Sequence, residues 1–413
     1  MNVFDALDAA LTDVVLSAED RRELKKILNI FFLGQLVGLP TLHSILKKYG
    51  IRSNNYQISF KELCKKLTTN KIAIIYSSIF ESQILAILKK MSEKDSSCWS
   101  RELVTAVLDD SIFKQWLTSQ DPEKDFEYAF GKFFSGQSMS TVYGFKVVTF
   151  ALCIDGVLYP LYFDFVKKTV EGNPRPDKAT QVAQKLVKKW GLFLKKAEKE
   201  GIKLPNIHFS CDSGYSDVPL SKTCLDNNLV YISVPKKSHM FEIEDSKGRI
   251  TKTNLSDWID NSFLKAEKAH QKTQQTPFIC RFKAHYCSQN REVTLLAFRL
   301  NGSKKVSIIY TTDKNIFAKT LRRHWFQRTY IEQFFKLLKH VLKIQEARTR
   351  TKNDFEDKLW RFAFIALNAQ KIIRFIRKKI KKFDKYGFII LQRILNDDPD
   401  ISDLLQEFLS VKR

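Results

Sequence analysis

The sequence predicts an α/β chain: a mixed sheet core that carries a β-rich insertion, with helical regions at both ends. Three observations predict it. Between about residue 102 and residue 235 the pattern runs strand, hairpin, helix, strand, helix, strand, which is an α/β layout. Residues 236–310 then hold short β-prone runs separated by Gly turns. Amphipathic helical segments lie before and after both stretches.

Residues 1–95 read as an N-terminal helical domain. AEDRRELKKILNIFFLGQLVG has the helical period and is followed by LPTLHSILKKYG, SFKELCKKLTT and SIFESQILAILKKMS. Pro40 and Gly50 punctuate the first two, and Ser59 with Glu62 fits a capping box for the third. Short basic helices of this kind fit a DNA-binding bundle or a helical cap on the next domain.

Residues 96–235 form the first part of the core. LVTAVLDDS is an apolar run ending in acids. FKVVTFALCIDGVLYPLYFDF is two apolar runs around Asp155-Gly156, a strong hairpin signal. DKATQVAQKLVKKWGLFLKKAEKEG is an amphipathic helix, NIHFSCDSG a strand ending in an acid, PLSKTCLDNN a short helix and LVYISVP another strand. Residues 236–310 are the β-rich insertion, interrupted by a polar helical piece near Trp258–Gln271. Residues 311–385 complete the core with a further pair of helices, and residues 386–413 form a helical tail that could support dimerisation.

Charge bounds the partners. The 413 residues include 69 Lys and Arg against 45 Asp and Glu, a formal net charge of +24. An excess of this size points to a polyanion, and nucleic acid is the leading expectation. Lys343–Lys385 alone holds 14 basic against 5 acidic residues, a solvated helix face or a phosphate-binding surface. An acidic membrane is the competing partner, yet no apolar run reaches the ~18–20 residues of a span. The opening MNVFDALDAALTDVV is acidic and does not read as a signal peptide. The seven cysteines are scattered and lack a CxxC pair, which favours reduced thiols in a cytosol. Cys280, His285 and Cys287 lie close in sequence but have no second ligand pair at finger spacing, so they read as strand residues.

The most informative stretch is Trp325–Lys339, WFQRTYIEQFFKLLK. On one helix, Trp325, Glu332 and Lys339 fall nearly in line with Arg328 beside them. Ile331, Phe334, Leu338, Val341 and Leu342 form a separate apolar stripe. Asp109 closes the first apolar strand, with Asp110 next to it, and Asp212 closes IHFSC. Singly, such residues are commonplace: strand-end aspartates cap turns, and a Glu between basic residues is usually an exposed ion pair. Jointly, two strand-end aspartates and a helical Glu can converge at the carboxyl ends of the strands. Close carboxylates repel unless a cation neutralises them, and hard oxygen donors favour Mg²⁺ or Mn²⁺.

These motifs carry a resemblance. Trp325-x2-Arg328-x3-Glu332-x6-Lys339 matches the Y-x2-R-x3-E-x6-K signature of the DDE transposases of bacterial insertion sequences at three positions. Trp stands in place of Tyr, keeping the aromatic plane and losing the hydroxyl. IEQFFKLLK is similar to the family's IE-x-F-F-K-x-L-K run, and Asp212-Ser213-Gly214-Tyr215 to its D-[RS]-G-[FY] motif. The family's first acid stands two residues before Ser or Thr, which fits Asp109 in Asp109-Asp110-Ser111; Asp110 is the alternative.

The resemblance, over Leu103–Lys339, implies a ribonuclease-H-like core and a Mg²⁺-dependent DNA endonuclease and strand transferase. Asp109, Asp212 and Glu332 would hold two Mg²⁺ ions, with Mn²⁺ able to substitute. Arg328 and Lys339 would grip phosphates, Trp325 would stack on a base or anchor the helix end, and Lys236 and Lys237 would touch the DNA backbone. The partners implied are double-stranded transposon ends and target DNA, bound by a homodimer associated with a prokaryotic nucleoid. The rivals are a ribonuclease-H-like nuclease that cuts without joining, a catalytically inert transposase-derived DNA-binding protein, and a general basic RNA-binding protein.

Overall fold

The computed structural model describes residues 17–19, 22, 70–93, 103–115, 129–135, 139–167, 178–202, 204, 207–236, 238–244, 248–273, 278–299, 305–346, 349 and 351–379. Most of residues 1–95, including the proposed capping box, and the whole tail 386–413 lie outside them. Among the described residues the strands form one mixed sheet of eleven.

The core is built around β1 (Val104–Lys114), whose first five residues are buried. β1 pairs antiparallel with β3 (Ser140–Ile154) along its length, and parallel with β5 (Ile207–Cys211) from Thr105 to Leu108. β5 pairs parallel with β6 (Leu229–Ser233). Along β3, β2 (Phe130–Ser135) pairs with Ser140–Phe145, and β4 (Val157–Phe165) with Val147–Ile154. The β3–β4 connection is the expected two-residue turn. Asp155 and Gly156 have φ of 49° and 77°, the doubly positive backbone that a tight right-twisted hairpin requires.

Helices cover the sheet because its strands are apolar on both sides. α1 (Asn70–Ser92) lies in the region read as the N-terminal domain, and it packs into this core: Tyr76 meets Phe364 at 5.6 Å and Phe80 meets Trp360 at 5.5 Å between ring centroids. Those partners belong to α8 (Lys352–Lys379), and Trp360 also meets Phe163 of β4 at 4.7 Å. α2 (Ala179–Lys199) buries Val182, Leu186 and Trp190, the last against Phe150 of β3. α3 (Val218–Leu225) leads into β6, its first turn capped by the Asp217 carboxylate, which accepts from the Leu220 N–H at 2.7 Å.

The strands of the region read as an insertion continue the core sheet. β11 (Val306–Thr311) pairs antiparallel with β6 through Tyr310↔Ser233 and Thr311↔Ile232. The sheet then continues through β10 (Arg291–Arg299), β9 (Ile279–Tyr286), β7 (Met240–Glu244) and β8 (Ile250–Asn254). The helical piece expected near Trp258–Gln271 is α4 (Leu255–Trp258), a π turn over Ile259–Phe263, and α5 (Leu264–Thr273). Cys280 and His285 are β9 residues.

The helix expected over Trp325–Lys339 is interrupted. α6 (Ala318–Gln327) ends at Arg328, α7 (Thr329–Lys336) follows, and a π turn takes up Leu337–Val341. The chain tightens at Arg328, whose N–H donates three residues back to Trp325 at 3.2 Å. The Thr329 hydroxyl donates to the Phe326 carbonyl at 2.8 Å and competes with the helical ladder there. The chain then widens, the Leu342 N–H donating five residues back to Leu337 at 2.9 Å. The apolar stripe survives: Ile331, Phe334, Leu338 and Leu342 are buried and Val341 packs beside them.

Candidate active site

The site starts from a ladder that opens. The parallel pairing of β1 and β5 ends at Leu108↔Cys211, so the next residues out are Asp109 and Asp212. Neighbouring strands lie ~4.8 Å apart, which puts two carboxylates side by side. β1 itself runs on to Lys114 on the arm of β3. Asp109 therefore marks the end of the parallel ladder, whereas the sequence reading placed it at the end of the strand. Beyond β5 the backbone turns at once into a 3-10 turn, Ser213–Tyr215, capped by the Asp212 side chain, which accepts from the Ser213 N–H at 2.6 Å.

Electrostatics single out Asp109. Burial raises its carboxyl, the charge of Asp110 raises it further, and Asp212 adds to this; Arg328 and the Asp110 N–H work in the other direction. The outcome is a carboxyl pushed up to about 7. Such a group sits in an excess of negative charge and gains from a cation.

Arg328 is the cation the chain itself provides. Its Nη1 lies 2.8 Å from Glu332 Oε1 and 3.7 Å from Asp109 Oδ2, so it joins the helical acid to the strand acid. The guanidinium also lies over the Trp325 ring, 5.0 Å from its centroid, and its buried Nε has no hydrogen-bond partner among the described residues. Trp325 packs against a small cluster of Ile232, Leu296, Phe298, Ile309, Ile316 and Leu321.

Asp110 points into other company. It accepts from the Tyr215 hydroxyl at 2.5 Å and pairs with Lys146 at 3.3 Å. Tyr215 belongs to the Asp-Ser-Gly-Tyr run, and its partner could have been sought from that motif. Lys146 was missed by sequence reasoning; its one signal is a charge inside the apolar run FKVVTF.

Lys339 lies in the π turn, half-buried, with its ammonium 5.1 Å from the Phe113 ring centroid. Burial pushes it down to about 8; Lys114 adds to this, and Asp110 and Asp109 oppose it. It thus stands within the fields of Asp110, Lys114 and Asp109 alike, inside the π turn that interrupts the helix. Lys236 is exposed just past β6, its N–H donating to His239 Nδ1 at 3.2 Å. Lys237 lies outside the described residues. Trp258, at the start of the helical piece in the β-rich region, stacks on Phe282 at 4.3 Å between centroids.

The donor set fits a hard divalent cation: carboxylate oxygens under mutual repulsion, with a guanidinium bridging two of them. Among the described residues no three acids, histidines or cysteines stand at metal-ligand spacing. Asp109 and Asp212 are adjacent, and Glu332 reaches them through Arg328.

A family model described as the transposase DDE domain matches residues 188–369, less than half of the 413 residues. The match includes Asp212, Arg328, Glu332 and Lys339 and begins beyond Asp109. No curated protein matches the chain. A cryo-EM structure of a piggyBac transposase synaptic complex with hairpin DNA aligns with a TM-score of 0.39 and 11% identity, covering 95% of this chain and 75% of that one; a score this low defines no common fold. Over residues 188–369, then, this chain is similar to the transposase DDE domain.

Proposed function

We propose that the chain is a DNA transposase that cleaves transposon ends and joins them to target DNA, acting on double-stranded DNA as a homodimer. One observation carries this reading: the β1–β5 register sets Asp109 beside Asp212, and Arg328 ties Asp109 to Glu332. The family match over residues 188–369 supports the same reading. The order β4-β3-β1-β5-β6, in which β3 alone runs against the other four strands, supports a ribonuclease-H-like core. Among the described residues no helix is long and apolar enough to cross a membrane, and a prokaryotic, nucleoid-associated location remains part of the proposal.

Asp109, Asp212 and Glu332 would hold Mg²⁺, with Mn²⁺ as substitute. Bound there, the ions would supply the activation of an attacking hydroxyl and the stabilisation of the leaving 3′-oxygen. The chain's own residues do the rest. Arg328 neutralises the acids while the site waits and would grip a phosphate beside them. Lys339 holds a neighbouring phosphate, and Lys236 and Lys237 track the backbone further out. Trp325 holds the Arg328 plane and presents an aromatic edge to the DNA. Hydrolysis and joining use one site because only the attacking hydroxyl changes.

The test is cleavage of end DNA with added Mg²⁺. Asp212→Asn and Glu332→Gln should each abolish strand cleavage and leave DNA binding intact. Undiminished cleavage in either variant refutes the assignment. Cleavage by the parent chain without any joined product in the presence of target DNA would point to a nuclease.

A further inference from the structure

Thr149 stands directly opposite Asp109 on the neighbouring strand. The β1–β3 register pairs the two residues, so their side chains leave the same face of the sheet with Cβ atoms about 5 Å apart. Thr149 is fully buried, and its Oγ1 has no hydrogen-bond partner among the described residues. A hydroxyl in that position has lost its water and gained no bond in exchange. Valine has nearly the same shape, is favoured in strands and would carry no such cost. The hydroxyl at this position therefore calls for a use.

Its surroundings narrow that use. On the other side of β3, Thr149 pairs with Phe163 of β4, a buried ring that packs on Trp360. Along β3 the next residues on the same face are Val147 and Ala151, both buried and apolar. Of these four neighbours only Asp109 has a side chain that can accept a hydrogen bond. Its carboxylate is engaged elsewhere: Oδ1 accepts from the Asp110 N–H at 2.9 Å, and Oδ2 lies 3.7 Å from Arg328 Nη1. Thr294 of β10 supplies a contrast. It too is buried with an Oγ1 that lacks a partner among the described residues, yet it pairs with Lys283 and Thr311 and lies four strands from β1.

We propose that Thr149 is a positioning residue for Asp109. With the carboxylate turned from Arg328 to a divalent cation, the Thr149 hydroxyl donates to one of its oxygens and fixes its orientation. Carboxylates that hold metals are themselves held by hydrogen bonds, and losing such a bond costs about 10- to 100-fold in metal affinity. Thr149 acts only through Asp109. The inference rests on the active-site reading and adds a residue outside the three acids.

The experiment titrates Mn²⁺ into the full chain and follows the free ion by electron paramagnetic resonance. Thr149→Val should weaken binding by about 10-fold, and Thr149→Ser should restore it. Thr294→Val removes an equally buried hydroxyl and should leave binding unchanged. Both valine variants should melt no lower than the parent, since each removes a buried hydroxyl without a partner. Unchanged Mn²⁺ affinity in Thr149→Val, or a loss that Thr149→Ser does not restore, overturns the proposal. Binding that Asp109→Asn abolishes and Thr149→Val leaves intact sinks the role of Thr149 alone. Binding that Asp109→Asn leaves intact sinks the active-site reading and this proposal with it.

Discussion

Asp109 and Asp110 are consecutive residues of one strand, and they live in opposite electrostatic worlds. Strand alternation sends them to different sides. Asp109 meets Asp212 and the Arg328–Glu332 pair, where negative charge is in excess and its carboxyl is pushed up to about 7. Asp110 meets the Tyr215 hydroxyl and Lys146, at the edge of a cavity where positive charge is in excess. The same side chain is thus a candidate cation ligand on one side and a brace in a basic wall on the other. The lesson is that β1 separates charge: Asp109 lies in acidic company on one side, and Asp110 lies in basic company on the other.

The largest expected effect breaks the comparison most sharply. Asp109→Asn should lower metal-dependent cleavage by ~10³-fold or more, and Asp110→Asn by ~10-fold at most, on the scale of losing a group that stabilises charge in the transition state against losing a support. Equal losses in single-turnover cleavage would erase the distinction between the two sides.

The next prediction concerns the helix that carries Arg328 toward Asp109. At the start of β1, Thr105 Oγ1 lies 2.8 Å from His324 Nδ1 of α6, and the His324 ring stacks on His208 at 4.0 Å between centroids. Burial, followed by the neighbouring His208 and Arg323, pushes His324 down to about 3. The unfolded chain takes up that proton near the ordinary value of about 6.5. This contribution to stability is therefore complete above about pH 6.5 and declines as pH falls toward 3. At pH 5 the loss should be about 2 kcal/mol, read as a lower urea midpoint. His324→Gln should flatten the pH dependence; an equally steep profile in the variant would show that this imidazole is not its source.

The smallest expected effect is on the basic side. Lys339→Ala should weaken end-DNA binding and reduce the slope of log affinity against log salt by about 0.9, the share of one phosphate on duplex DNA. An unchanged slope would remove Lys339 from the phosphate contacts.

What could be read from sequence was local. Asp155-Gly156 announced its turn because only a few residues adopt two successive positive φ values. The stripe Ile331–Phe334–Leu338–Leu342 announced its buried face through the helical period. The candidate acids could be named because strand ends and a helical Glu are local patterns too. What stayed hidden was non-local or a matter of one residue. The pairing of Ser233 with Tyr310 joins segments far apart in sequence, so no local pattern showed that the strands of 236–310 extend the core sheet. The helical period does not register the tightening at Arg328 or the π turn at 337–341. A one-residue shift in register exchanges the faces of a strand, which is why the sequence leaves Asp109 and Asp110 as alternatives.

The central claim is that Asp109, Asp212 and Glu332 serve one cation site. Crystals of the protein soaked in Mn²⁺ and measured at the manganese edge test it directly. The account predicts the strongest anomalous peak between the Asp109 and Asp212 carboxylates, with Glu332 turned from Arg328 toward it. A peak on Asp110 instead, or Mn²⁺ bound elsewhere with the Arg328–Glu332 pair intact, would contradict it.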